Sequence, residues 1–341
     1  MKAVRRHRVQ HSELLGEDAW RHSLNDGYTE DQHLEISQWY LNRISPIPSV
    51  ASSNPSAAGG DDAATWRARF DFLMQHAIMG RSEDLRKAKL ARLYTRTLPQ
   101  SRPQSAPAFV VTIPRSKVNT EGRKEIGIAV RHRDVEACPV GALALYLYER
   151  WHVRSEPFPD FSSCASWYHL MLLTDSDDNT AGSDGITWGD QAQILKKAFS
   201  DLDIATSKVT HAMRGGGARM AFEHGCSEDS IRKHGRWTAG GDQLMERYLT
   251  GVALQPVRAL AGFSPGGGDY WLPRTLKEPP LSLQQQLWPR IEEVEAAIRQ
   301  RHRTGGETDQ AALNFLAMMK WLRIVLLQDA ACLRPLYANL P

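Results

Sequence analysis

Two short β-branched runs, FVVTI at 109–113 and IGIAV at 126–130, limit most what this chain can fold into. They are separated by PRSKVNTEGRKE, and together they predict an antiparallel hairpin with a long polar tip. Pro114 has no N–H to donate, which assigns the first run to a sheet edge. Everything around the pair reads as helix. HLEISQWYLNRI offers an apolar face at Leu34, Trp39 and Leu41 or Ile44. From Trp66 onward Phe70, Leu73 and Ile78 are spaced for one buried side, Gly80 interrupts, and RSEDLRKAKLARLY resumes the helical pattern. CPVGALALYLYERW begins with Pro139 in a first turn and keeps Leu143, Leu147 and Trp151 on one face. TWGDQAQILKKAF opens on a Thr187–Asp190 capping pair. Gly225 closes one helix, and SEDSIRKHGRW starts the next with a serine cap and two acids. This order of elements predicts a mostly α chain with a small antiparallel β-sheet, the α+β class.

Between these elements lies SPIPSVASSNPSAAGGDD at 45–62, too rich in Pro, Gly and Ser to bury itself, and read as a flexible linker. No uninterrupted apolar run reaches eighteen residues; Lys320 and Arg323 break LNFLAMMKWLRIVLLQ, so no membrane span is expected. MKAVRRHRVQH lacks the apolar stretch of a secretory signal, and an intracellular location follows as the expectation. Arg5, Arg6 and Arg8 in it suit a DNA-contacting arm or a nuclear import signal, and equally a disordered tail. Cys138, Cys164, Cys226 and Cys332 are too dispersed for a zinc ribbon or a disulfide framework. The net charge is only +3, but thirteen Lys or Arg against four Asp or Glu between Arg81 and Arg133 give that stretch +9 and leave −6 for the remainder. Such a stripe fits a polyanion, or a solvated helix face.

THAMRGGGARM at 210–220 places His211 and Arg214 three apart and follows them with three glycines, each costing roughly 1 kcal/mol in a helix relative to alanine. The pair could meet one phosphate or serve as a capping histidine and a surface arginine. The glycines allow another backbone, of protein or nucleic acid, to come close. Trp237 and Tyr248, taken singly, read as core aromatics.

In joint order these residues resemble the catalytic pattern of the tyrosine recombinases, and within them the Crypton type. That pattern is an arginine, a hairpin lysine, HxxR, a histidine or tryptophan, and a tyrosine. Gly80-Arg81 followed by Asp84-Leu85, Ala88 and Leu90 matches the first-arginine box, with Arg81 rather than Arg86 in register. RSK at 115–117 stands where the family has its lysine, so Lys117 is preferred to Lys124. HAMR supplies His211 and Arg214, GRW supplies Trp237, and LMERYLTG supplies Tyr248. RHRDVEACPVGALALYLYERW and the stretch from GRW through PVRALAGF to YWLPR are similar to Cryptons and to the fungal centromere-binding subunit that shares their fold. The resemblance implies a tyrosine-recombinase catalytic domain at 64–275, preceded by a helical remnant of a core-binding domain at 1–44 and a linker at 45–63. A helical extension at 276–341 follows.

It further implies double-stranded DNA as partner, a nuclear location, self-association as a dimer or tetramer on DNA, and chemistry through a covalent 3′-phosphotyrosyl link. Arg81 and Arg214 would clamp the nonbridging oxygens, where the transition state gathers charge. The Tyr248 phenol, with an ordinary pKa of about 10, must lose its proton in the attack. His211 is the candidate base or phosphate donor. Lys117 would protonate the leaving 5′ oxygen. The Trp237 indole, a donor only, would orient and pack. His234 reads as a surface or capping residue. Arg86, Lys87, Arg115, Arg123, Lys124, Arg219 and Arg236 are expected along the DNA. The reaction asks for no cofactor, and the chain carries no GxxxxGK[ST], no HExxH and no acidic cluster for magnesium. Two other readings belong beside this one. A DNA-binding structural protein of the centromere type, or a truncated transposon relic, would keep the fold without cleavage. A type IB topoisomerase shares the chemistry but ordinarily needs a longer clamp.

Overall fold

A computed structural model describes residues 27–44, 60–98, 106–113, 125–175, 185–206, 209–237 and 251–340. The sheet has three antiparallel strands, β1 (Leu93–Leu98), β2 (Ala106–Ile113) and β3 (Glu125–Val130), in that order. Leu93 pairs with Val111 and Leu98 with Ala106, while Ala108 pairs with Val130 and Ile113 with Glu125. The expected hairpin is therefore β2–β3. The edge position inferred from Pro114 is corrected, because β2 is the central strand. Pro114 itself lies outside the described residues, beyond the last paired residue Ile113.

β2 is central because both of its faces are covered. Phe109 and Val111 point into the main helical core, whereas Ala108 and Val110 face Val257, Ala261, Phe263 and Tyr270. A strand packed on both sides loses the polar alternation of an edge and reads as an apolar run. Its second neighbour, LYTRTL, falls in and just after the stretch read as helix. There the helical pattern holds only for α3 (Ser82–Arg86); a 3-10 turn at Leu90–Arg92 leads straight into β1. Pairing with an otherwise bare edge of β2 outweighs a weak local helical preference.

The helical core is built on α4 (Pro139–Tyr148), buried from Pro139 through Leu147. A helix apolar on every side belongs in the interior. Pro139 opens it, and the Cys138 Sγ accepts the Gly141 N–H at 3.3 Å, a cap that composition did not suggest. Around α4 pack α2 (Gly60–Ala77) and α12 (Gln310–Leu333). Ile36, Tyr40 and Leu41 of α1 (Glu30–Leu41) and Phe315, Leu316 and Met319 of α12 join the same cluster as Phe70 and Leu143, so the packing has no seam near residue 64 or residue 275. α2 also begins ahead of Trp66, taking up the end of the stretch read as linker. By length and composition α12 could cross a membrane, but half of its most apolar window is buried within the fold. Its charges are internalised: Arg323 Nε donates to Leu287 O at 2.7 Å and its Nη1 pairs with Glu292.

Asp329 of α12 has no solvent exposure and carries the principal buried ion pairs. It accepts Arg131 Nη2 from the end of β3 and Arg274 Nε at 2.7 Å from the 3-10 turn Pro273–Thr275. Gly141 of α4 lies so close that a Cβ there would stand 2.2 Å from Asp329 Oδ2. Removing the carboxylate leaves two guanidiniums buried without their anion. Asp329→Ala should therefore cost about 3–5 kcal/mol of stability, measurable as a shift in the urea midpoint.

Candidate functional site

The site is assembled on the C-terminal end of α2, where the last carbonyls of a helix have no partner within it. The chain leaves α2 through Met79, at a left-handed φ of 46°, and the Gly80 N–H returns to Gln75 O at 2.8 Å. Three side chains from other elements meet the carbonyls this turn exposes. His234 Nε2 donates to Ala77 O at 2.9 Å, Arg236 Nη1 to Ile78 O at 3.2 Å, and Arg214 Nη1 to Met79 O. The negative end of the helix dipole favours these donors.

Each donor is delivered by a locally encoded element. α7 (Ala212–Glu223) carries Arg214 in its first turn. α8 (Glu228–Gly235) starts on Ser227, whose Oγ accepts the Ser230 N–H, and ends with Arg236 in the left-handed region at φ 58°. The Trp237 N–H then folds back to Arg232 O at 2.9 Å. That turn demands glycine at 235, where a Cβ would lie 1.8 Å from the Trp237 ring. The Gly235 carbonyl accepts Arg214 Nη2 at 2.5 Å, and the Arg214 guanidinium lies 4.0 Å from the centre of the Trp237 ring. Trp237 stays 38% exposed, so one flank of this stack is open to solvent.

Arg81 precedes α3. Its N–H donates to Asp84 Oδ2 at 2.8 Å, and the same oxygen receives Arg236 Nη2 at 2.9 Å. Arg81 Nη1 is buried and has no hydrogen-bond partner. Burial, then the neighbouring Arg236 and Arg81, pull the Arg214 pKa down to about 9, against the favourable Asp84 and Glu125. Burial likewise lowers Arg236, partly offset by Asp84 and by Glu125, whose Oε2 lies 4.0 Å from its Nε. Three guanidiniums thus share two carboxylates, leaving excess positive charge in a partly desolvated place. An anion arriving there would relieve the repulsion and take the orphaned donor. Among the described residues no group of three His, Cys, Asp or Glu converges on a metal position.

The sequence candidates fall into four sets. Arg81, Arg214 and Trp237 meet at this place, with Arg236, which is built into its floor at 6% side-chain exposure. His211 is the exposed N-cap of α7, one turn before Arg214. Arg86, Lys87 and Arg219 are not part of the cluster: Lys87 pairs with Glu83 at 2.9 Å, and the Arg219 guanidinium lies beside Gly27. Lys117, Arg115, Arg123, Lys124 and Tyr248 lie outside the described residues. Their anchor points are described, however. The hairpin stem at Glu125 and Ile126 touches Arg236, and Trp237 and Gly251, which bracket the Tyr248 segment, both adjoin α8. His234 is buried, its pKa pushed down to about 4 by that burial, and it is an internal strut rather than a surface residue. Asp84, the shared acceptor, was visible in sequence only as an acid three residues after Arg81.

The glycine triplet divides its labour. A Cβ at Gly216 would lie 2.7 Å from the Tyr28 ring and one at Gly217 2.6 Å from His76 O, so these two serve close packing of α7 within the protein. Gly215 is exposed with nothing within 4 Å. Gly217→Ala should cost roughly 1–3 kcal/mol because a backbone carbonyl cannot swing aside. Gly215→Ala should instead gain up to about 1 kcal/mol from helix propensity. Urea denaturation of the two variants checks the contrast.

Residues 19–341 match the family model described as centromere DNA-binding protein complex CBF3 subunit, domain 2. No curated protein gives a match. Among solved structures, the FLP recombinase–Holliday junction complex I is 14% identical with a TM-score of 0.44, over 95% of this chain and 71% of that one. A Flpe–Holliday junction complex is 16% identical with a TM-score of 0.44, over 94% and 70%.

Proposed function

We propose, because the chain belongs to the family of the centromere DNA-binding protein complex CBF3 subunit, domain 2, that it binds double-stranded DNA in the nucleus and cleaves and rejoins it through Tyr248. The observation that carries this reading is the guanidinium cluster on the end of α2, with its excess positive charge and the unpartnered Arg81 Nη1. A phosphodiester supplies what the cluster lacks, an anion with two nonbridging oxygens to accept from Arg81 and Arg214. His211, exposed beside them, would exchange the proton of the phenol, and Lys117 on the hairpin would protonate the leaving oxygen. The covalent phosphotyrosine conserves the energy of the broken bond for rejoining, and the copies needed for strand exchange would assemble on the DNA.

One observation favours a second reading, an inert DNA-binding structural protein: both terminal nitrogens of Arg214 already donate to backbone carbonyls. Capture of DNA separates the two. Duplexes recovered from a random pool by binding to the chain, nicked to prevent rejoining, should yield a denaturation-resistant protein–DNA adduct. Retained binding without an adduct supports the structural reading, and absence of binding removes both.

A further inference from the structure

We propose that Trp188 and Lys196 extend the DNA-binding surface from the arginine cluster across the solvent side of α6 (Trp188–Asp201), and that Trp188 also holds the turn that carries His211. The inference rests on the reading of the chain as a duplex-binding protein. Trp188 is 52% exposed, a large apolar surface left in water with no return in core packing. It is nevertheless tethered. Its Nε1 donates to Thr210 Oγ1 at 3.3 Å, and buried Thr210 is the middle residue of the 3-10 turn Val209–His211. Lys196 Nζ lies 5.7 Å from the centre of the indole ring, and Lys196 makes no ion pair among the described residues, whereas Lys197 reaches Asp201 at 3.5 Å.

A fixed aromatic face and an ammonium without a carboxylate thus stand beside exposed His211 and the open space at Gly215. The combination suits a nucleic-acid strand, whose sugar and base surfaces pack on the ring while a phosphate meets the ammonium. The N-terminus of α6 does not itself invite phosphate, because Asp190 caps it with a carboxylate. The contact falls to the indole and the lysine. The Thr210 bond adds a second task for Trp188, that of a positioning residue for His211.

Binding of a fluorescein-labelled duplex, followed by anisotropy across a salt series, tests the surface. Trp188→Ala should weaken binding about tenfold. Lys196→Ala should reduce the slope of log K against log salt by about 0.9. Trp188→Phe keeps the ring but loses the N–H, so binding should persist while adduct formation slows severalfold. All three positions are exposed enough for the melting temperature to stay as in wild type, and Arg81→Ala serves as the comparator. If Arg81→Ala weakens binding while Trp188→Ala and Lys196→Ala bind with wild-type affinity and slope, the inference fails and duplex binding stands. If the wild-type chain binds no duplex, both fail together. Unchanged adduct kinetics in Trp188→Phe would remove the positioning role alone.

Discussion

Tyr248→Phe should abolish the covalent protein–DNA adduct while leaving duplex binding intact, and Arg214→Ala should slow adduct formation by more than two orders of magnitude. The first effect is absolute because phenylalanine has no oxygen to make the bond. The second follows from charge development. Preorganised donors aimed at an anionic transition state are worth roughly 3–4 kcal/mol each, a factor of about 150 to 1,000 in rate. Arg214 is preorganised to an unusual degree: Met79 O and Gly235 O hold its two ends, and Trp237 supports its face. Arg214→Lys should rescue little, because an ammonium cannot bridge both carbonyls and stack at once. Gel analysis after denaturation reads the adduct, and thermal melting separates loss of chemistry from loss of fold. An adduct that persists in Tyr248→Phe would reassign the nucleophile.

Acid should unfold the protein well above the pH at which most carboxylates titrate. Tyr28, His33 and His76 form one buried cluster: the Tyr28 hydroxyl meets His76 Nδ1 at 2.9 Å, and the rings of His33 and His76 are centred 4.0 Å apart. Burial holds His33 well below its ordinary pKa, His76 at about 3, and His132 and His234 at about 4. In the unfolded chain each titrates at about 6.5. Between these values the unfolded state binds more protons, so stability present at neutral pH is lost as pH falls below the unfolded value. Each histidine contributes up to about 1.4 kcal/mol per pH unit. Asp71, raised by burial to about 6, and Glu149, also raised by burial, act in the opposite sense because their folded forms take up protons first. The net slope is roughly 3 kcal/mol per pH unit between about pH 6 and 4.5, enough to exhaust a typical stability of about 5–15 kcal/mol within a few units. Urea midpoints at pH 7, 6 and 5 should fall steadily. A midpoint constant over that range would show that the imidazoles are not buried in neutral form.

How much of this was legible beforehand depended on the range of the interaction. The Thr187–Asp190 cap, the Ser227 cap, Pro139 at the head of α4 and Gly225 after α7 each involve residues a few positions apart, and all four are where local chemistry put them. The β2–β3 hairpin was legible for the same reason. β1 was not, since LYTRTL becomes a strand only because β2 presents an edge to it. The central position of β2 likewise required the second apolar cluster around Val257 and Tyr270, which no local pattern announces.

The candidate site divides along the same line. The sequence by itself determined which residue types are available, in which order, and on which side of a helix His211 and Arg214 fall. Only the tertiary structure decided that Arg214, Arg236 and His234 share the carbonyls at the end of α2, that Asp84 serves both Arg81 and Arg236, and that Gly216 and Gly217 make room for Tyr28 and His76. Local order fixes dihedral preferences and hydrogen bonds within a turn or two, whereas burial, shared charge and close packing exist only once distant segments exclude water together.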